Sequence, residues 1–243
     1  MVLYVALCRD NWKGVIAVEL HAGHHQVVQW LGLNFNLDTL INTWIVMAIV
    51  LVIALLAARK QQLVPSGVQN LMEMVLEGLK AQLAPGIEKQ WKKAGAVLYT
   101  FFLFIFIANQ IGLLPTNHHI SSPTADVNTA LALAIVSTVL VWGISLQTKG
   151  LGYFKHFFQP FKALFILNVF EEVAKPVTLT VRLFGNIIAG EIMAELLYTL
   201  LPTWVPLTWI WLAFSLFVGT IQAFVFAILT SAYLNQGASE EEH

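Results

Sequence analysis

A chain of 243 residues that is 58% apolar and only 11% charged cannot cover a globular surface, because soluble domains carry about a quarter charged residues. Lipid must cover it. The net charge of -1 leaves no basic field for nucleic acid, and the single cysteine, Cys8, excludes a disulfide framework and a cysteine-built metal cluster.

The predicted fold is an all-α integral membrane protein of about five crossing helices with a surface amphipathic helix. Residues 1–38 form an N-terminal segment outside the membrane. Its first stretch, MVLYVALC, is short for a signal-peptide core and has no basic residue before it, so it reads as an ill-defined extension. The membrane domain is predicted over residues 39–243, and its first span covers 39–58 and ends at Arg59-Lys60. In the mixed segment 61–93, Val68, Leu71, Met72, Val75, Leu76 and Leu79 fall at helical spacing with Glu73, Glu77 and Lys80 between them. That pattern predicts an amphipathic helix, lying on the membrane surface or docking a partner. Spans follow at 95–114, closed by Pro115, and at 127–146. The clusters Arg59 to Lys93 and Lys149 to Lys162 share one side, which the positive-inside rule assigns to the cytoplasm. The N-terminus and the His118-His119 loop then face outward.

The remaining apolar runs, 163–201 and 203–235, are each too long for an upright crossing. Tilted helices joined near Leu201-Pro202 into a hairpin fit them, with the Glu240-Glu241-Glu242 tail in the cytoplasm. No internal repeat, glycine-rich phosphate loop, HExxH pair or GxSxG elbow is found. Neither nucleotide hydrolysis by this chain nor a resident metal or cofactor is expected.

Within the first long run lie charges that need a reason. An arginine at the centre of a membrane helix costs about 2.5–3.5 kcal/mol on insertion scales. Arg182, in VTLTVRLFGNIIAG, is flanked by apolar residues for a turn on both sides. At about 100° per residue, Glu171, Lys175, Arg182, Gly185, Asn186 and Ala189 form one stripe, and Glu191 lies about 180° from Arg182 with Glu195 about 40° further round. A permanent cation among small residues faces one neighbour, and two carboxylates face another. Ordinary helix packing with a buried Arg–Glu pair is the structural alternative.

The segments KPVTLTVRLFGNIIAGE and FVGTIQAFVFAILTSAYL resemble subunit a of F-type ATP synthases of the bacterial type. NQIGLLP at 109–115 and SPTADVNTALALA at 122–134 are also similar to it, and the resemblance runs from about His21 onward. It implies a stator subunit whose last two helices cup a rotor ring. Two offset half-channels would pass protons to and from one carboxylate on each ring subunit, coupling ion flow to rotation and ATP synthesis. The chain would be a non-nucleotide-binding part of the proton-transporting enzyme. Implied partners are the ring proteolipid subunits c, the peripheral-stalk subunit b, other synthase subunits and membrane lipid. The implied location is a bacterial plasma membrane, N-terminus outside and C-terminus cytoplasmic.

By match to the motif, Arg182 is the essential cation between the half-channels. A guanidinium stays charged under any cellular condition and cannot carry a proton across. The inlet needs protonatable or hydrogen-bonding groups turned from Arg182, and Glu191 is the first candidate, with Gln222, Ser215 and Asn109. Asp126 and His118 or His119 are candidates for its outer mouth. Glu171, Glu172, Lys175 and Asn168 are candidates for the cytoplasmic outlet, and Asn186 and Glu195 complete the pathway set. For His118, His119 and the His21, His24, His25 group, solvated loop positions are the plainer reading. Two departures stand out: Gly112 replaces an acid found in some relatives, and Ser215 replaces a histidine. A multi-pass secondary transporter is the alternative function, although such proteins usually carry repeated halves with matched broken helices. A membrane scaffold that only binds a partner is the other.

Overall fold

The computed structural model describes residues 3–8, 15–20, 27–30, 33–59, 67–112, 122–150, 152–153, 165–200 and 207–238. Before the membrane helices come two short antiparallel ladders. β1 (Leu3–Cys8) pairs with β2 (Val15–Leu20), and β3 (Val27–Trp30) pairs with β4 (Leu33–Asn36). The N-terminal extension thus contains regular backbone pairing that a scan for membrane spans does not detect. The two hairpins are local, joining segments adjacent in sequence.

Among the described residues six α-helices follow: α1 (Leu37–Ala58), α2 (Val68–Leu83), α3 (Trp91–Gly112), α4 (Val127–Lys149), α5 (Phe165–Leu200) and α6 (Leu207–Ala238). Among the described residues, five of them are long and apolar enough to cross a membrane, α2 being the exception. At 1.5 Å per residue, the 36 residues of α5 reach about 54 Å, well beyond a hydrocarbon layer of about 30 Å. The surplus requires tilt or protrusion.

Helix boundaries follow local chemistry. Asp126 caps α4, its Oδ1 accepting from the Asn128 backbone N–H at 2.9 Å, and Gly150 ends that helix at φ 60°. α3 starts at Trp91, so Lys92 and Lys93 lie inside its first turn rather than before it. There Lys93 Nζ reaches Gln147 Oε1 of α4 at 3.0 Å. α2 buries Met72, Leu79 and Leu83 and half-buries Val75 and Leu76, while Val68 and Leu71 of the expected apolar side stay exposed. It is held to the bundle by Tyr99 OH, which donates to the Leu76 carbonyl at 2.9 Å. Ser231 Oγ donates to the Leu83 carbonyl at 2.6 Å.

The core lies where α3 meets α6. Leu98, Phe101 and Ile105 join Ala223, Phe226 and Ala227 there, with the Phe101 and Phe226 rings edge to face at 5.7 Å. Leu179 and Leu183 of α5 extend the same core. α5 and α6 run antiparallel, as two cross-contacts fix: Trp211 Nε1 donates to the Gly190 carbonyl at 3.2 Å, and Lys175 Nζ sits 5.4 Å from the Tyr233 ring centroid. The expected hairpin is therefore present, although its turn at Leu201-Pro202 lies outside the described residues. α1 flanks α3 and buries only Thr39, Asn42 and Val46. Most of its apolar surface, including Trp44, Leu51 and Leu55, is exposed, as lipid contact demands.

Candidate functional site

Arg182 is exposed on α5, and the exposed Val181 (62%) and Val177 lie about 100° and 140° round from it, on the side away from the bundle. Phe170 and Val173, also exposed, lie about 120° and 180° round from it. Every member of the stripe Glu171, Lys175, Arg182, Gly185, Asn186 and Ala189 is at least partly open. The buried positions Leu179, Leu183, Ile187 and Gly190 cluster about 60–140° round from Arg182. This seam packs against the bundle, and Glu191 and Glu195, both half-buried, lie beyond it. On the bundle side of α5, a packed ridge thus lies between the arginine and the two carboxylates.

α3 and α6 share a second set of polar groups. Asn109 is fully buried, its Nδ2 donating to the Gly219 carbonyl at 3.0 Å and its Oδ1 accepting from Thr124 Oγ1 at 2.9 Å. Gly219 lies about one turn from both Ser215 and Gln222, and each of these is buried. Gln110 Nε2 donates to the Leu216 carbonyl at 3.1 Å and to Thr220 Oγ1 at 2.9 Å. Ser122 Oγ donates to the Ala108 carbonyl at 3.0 Å. Gln222 Nε2, by contrast, has no hydrogen-bond partner among the described residues. A buried, unused amide donor is costly and marks a place for a polar visitor or water.

Gly112 has a steric reason. A Cβ there would lie 2.6 Å from Ser122 Cα and 2.7 Å from Ser122 N, so no side chain fits while residues 122–124 hold their place.

Asp126 is occupied by structure. Its Oδ1 accepts from Asn128 N and, at 3.0 Å, from Asn128 Nδ2, while its Oδ2 accepts from Asn36 Nδ2 at 2.6 Å and Thr39 Oγ1 at 3.1 Å. The carboxylate ties α1 to the start of α4. Asp126→Ala removes the cap and the partner of the buried Thr39 hydroxyl, and should cost about 1–3 kcal/mol. Thermal denaturation of the detergent-solubilised protein reads this loss.

Near the N-terminal end of α5, Glu172 turns away from the stripe and is buried to 8% exposure. Its Oε1 accepts from Trp142 Nε1 at 2.6 Å and Tyr153 OH at 3.2 Å, and its Oε2 from Lys175 Nζ at 2.7 Å. Burial, then the charge and hydrogen bond of Glu172, push the Tyr153 hydroxyl well above its ordinary range, so it remains a donor. Asn168 is half-buried and Glu171 exposed. Trp142, Tyr153, Tyr233, Gln110 and Thr124 were not singled out from sequence. Each looks like an ordinary aromatic or polar residue until its partner on another helix is seen. His118, His119, His21, His24 and His25 lie outside the described residues. Among the described residues no group of three or more His, Cys, Asp or Glu side chains is placed to hold a metal ion.

The fold and these groups define a multi-pass α-helical membrane protein with a cation on an open intramembrane face and separate polar groups inside the bundle. Residues 40–235 match the family described as ATP synthase A chain. The chain is 40% identical over 241 residues to ATP synthase subunit a of Acidothermus cellulolyticus, spanning 93% of this chain and 89% of that protein. It is 41% identical over 224 residues to ATP synthase subunit a of Desulforamulus reducens, spanning 87% and 83%. The chain belongs to the ATP synthase A chain family.

Proposed function

We propose that this chain is the stator subunit of a rotary ATP synthase membrane sector, passing protons to and from the carboxylates of a rotor ring. The carrying observation is Arg182, a permanent cation left exposed on a stripe of small and polar residues within an apolar membrane-length helix. Charge on a lipid-facing surface is unfavourable, so this face favours a partner that brings a carboxylate. Ring subunits of the c type are that partner. The buried set Asn109, Ser215 and Gln222, with Glu191 and Glu195 beyond the seam, forms the inlet side, and the unpaired Gln222 amide is a natural water position. Asn186 borders Arg182 on the stripe. Glu171, Lys175 and Asn168 border the outlet near the cytoplasmic end, where Glu172 anchors the helix. Asp126 serves this pathway by fixing α4. α2, docked on α3 and α6, offers its outer face to the peripheral-stalk subunit b. The site lies in a bacterial plasma membrane with the C-terminus inside.

The reading makes two checks. In proteoliposomes holding the whole complex, Arg182→Ala should abolish proton-driven ATP synthesis, and normal synthesis in that variant would sink it. Val181→Cys, on the open face, should form oxidative cross-links to cysteines introduced in the ring subunit, whereas buried Leu183→Cys should not. Equal cross-linking by both would place the ring elsewhere.

A further inference from the structure

Glu172 and Lys175 are paired in a way that the stripe alone does not suggest. Lys175 lies within about 20° of Arg182 and two turns away, about 10.5 Å along the axis. Glu172 lies about 80° round, on the packed seam. The pair is largely buried, with side-chain exposures of 15% for Lys175 and 9% for Glu172. Three elements hold it: Trp142 from α4, Tyr153 just after α4, and Tyr233 of α6, whose ring lies under the ammonium. Beside the pair lies a cavity of about 10 Å³ lined by Lys149, Tyr153, Glu172, Lys175, Tyr233, Gln236 and Gly237. That is room for no more than a water molecule.

A bare ammonium at Lys175 would be a second cation for any carboxylate travelling along the α5 face. We propose that Glu172 is a positioning residue that neutralises Lys175, leaving Arg182 as the one uncompensated cation of the central stripe. The inference rests on the reading of this face as the surface that meets the ring. The charged and titratable groups facing the pair are Lys149 and Tyr153 from the α4 side, Glu171 and Arg182 on α5, and Tyr233 on α6. Glu171 is exposed at the end of the stripe, about 16 Å along the helix from Arg182, where solvent screens it. Tyr153 stays protonated and therefore adds no charge.

The test is the pH dependence of ATP-driven proton pumping by the assembled complex in proteoliposomes, normalised to ATP hydrolysis. Glu172→Gln keeps an oxygen for Trp142 and Tyr153 but unmasks the ammonium. An added cation favours the ionised ring carboxylate and lowers its pKa. The acid-limb midpoint should therefore move down by about one pH unit. Lys175→Gln leaves Glu172 uncompensated and should move the midpoint up by a similar amount. The double variant should return it to the wild-type value. Trp142→Phe removes only an uncharged donor and should leave it in place.

Opposite shifts that cancel in the double variant support the proposal. Unmoved midpoints, or losses in both single variants that the double does not repair, overturn it. Should Glu172→Gln fail to assemble, Lys175→Gln decides alone: an upward shift supports masking and no shift overturns it. Arg182→Ala run alongside separates the two levels. Normal pumping by that variant removes the ring-facing reading itself. A dead Arg182→Ala with unshifted pair variants removes only the role of Glu172.

Discussion

Arg182→Ala is expected to reduce proton-driven ATP synthesis to background while the complex still assembles. The side chain is exposed in the isolated chain and packs into no core, so its loss leaves no cavity among α3, α4 and α6. The effect falls on charge. At about 4 Å and an effective dielectric near 20, a guanidinium stabilises a carboxylate by about 4 kcal/mol. At about 1.4 kcal/mol per unit, that lowers the carboxylate pKa by roughly three units. Without it, a ring carboxylate between apolar helices keeps its proton and passes the stator unchanged, so flux and rotation uncouple. Arg182→Lys should rescue only in part, because an ammonium is compact, strongly hydrated and readily deprotonated when desolvated. Full activity in Arg182→Lys would mean that charge alone, without the guanidinium's permanence, suffices. Proton-driven synthesis and the amount of assembled complex should be measured on the same vesicles.

Gly112→Glu is expected to damage the inlet side rather than add a channel carboxylate to it. The atoms that a Cβ would strike are Ser122 Cβ and the Ser122 backbone Cα and N, and backbone atoms cannot swing aside like a side-chain end. Moving them breaks the Ser122 bond to the Ala108 carbonyl at 3.0 Å and strains the Thr124 bond to Asn109 at 2.9 Å. Overpacking of this kind costs about 1–3 kcal/mol, and each lost buried hydrogen bond adds about 1 kcal/mol. Gly112→Ala should show most of the overpacking loss without any charge. The checks are the thermal midpoint of the solubilised complex and proton flux through it. A Gly112→Glu protein as stable as the parent would show that residues 122–124 yield easily. The reading of an acid simply missing at position 112 is thereby changed: here the glycine is the condition for α3 and the residue 122 segment to touch.

The long apolar runs, the amphipathic α2 and the segregation of Arg182 from Glu191 were all legible in the sequence. Each follows from periodicity, since a residue's direction on a helix is fixed by its number along the chain. The two N-terminal hairpins were not legible: their short ladders depend on pairing between segments, which apolar runs alone do not specify. The pathway candidates divide in the same way. Projection could place Glu172 beside Lys175 in sequence, but not reveal that its carboxylate turns to Trp142 and Tyr153. The sequence offered Asp126 as a candidate for the inlet's outer mouth, but not that Asn36 and Thr39 occupy its second oxygen.

The sequence by itself determined that the chain spans a membrane and that one helix carries a cation and carboxylates on different faces. Those are properties of a helix taken alone. Tertiary structure decided which of these polar groups are spent on one another. Asn109 is used by Gly219 and Thr124, Glu172 by three donors, and Gln222 Nε2 by no described residue. Hydrogen bonds between helices depend on rotation and register, which no single helix encodes, and in a bilayer no solvent is at hand to satisfy a group left over.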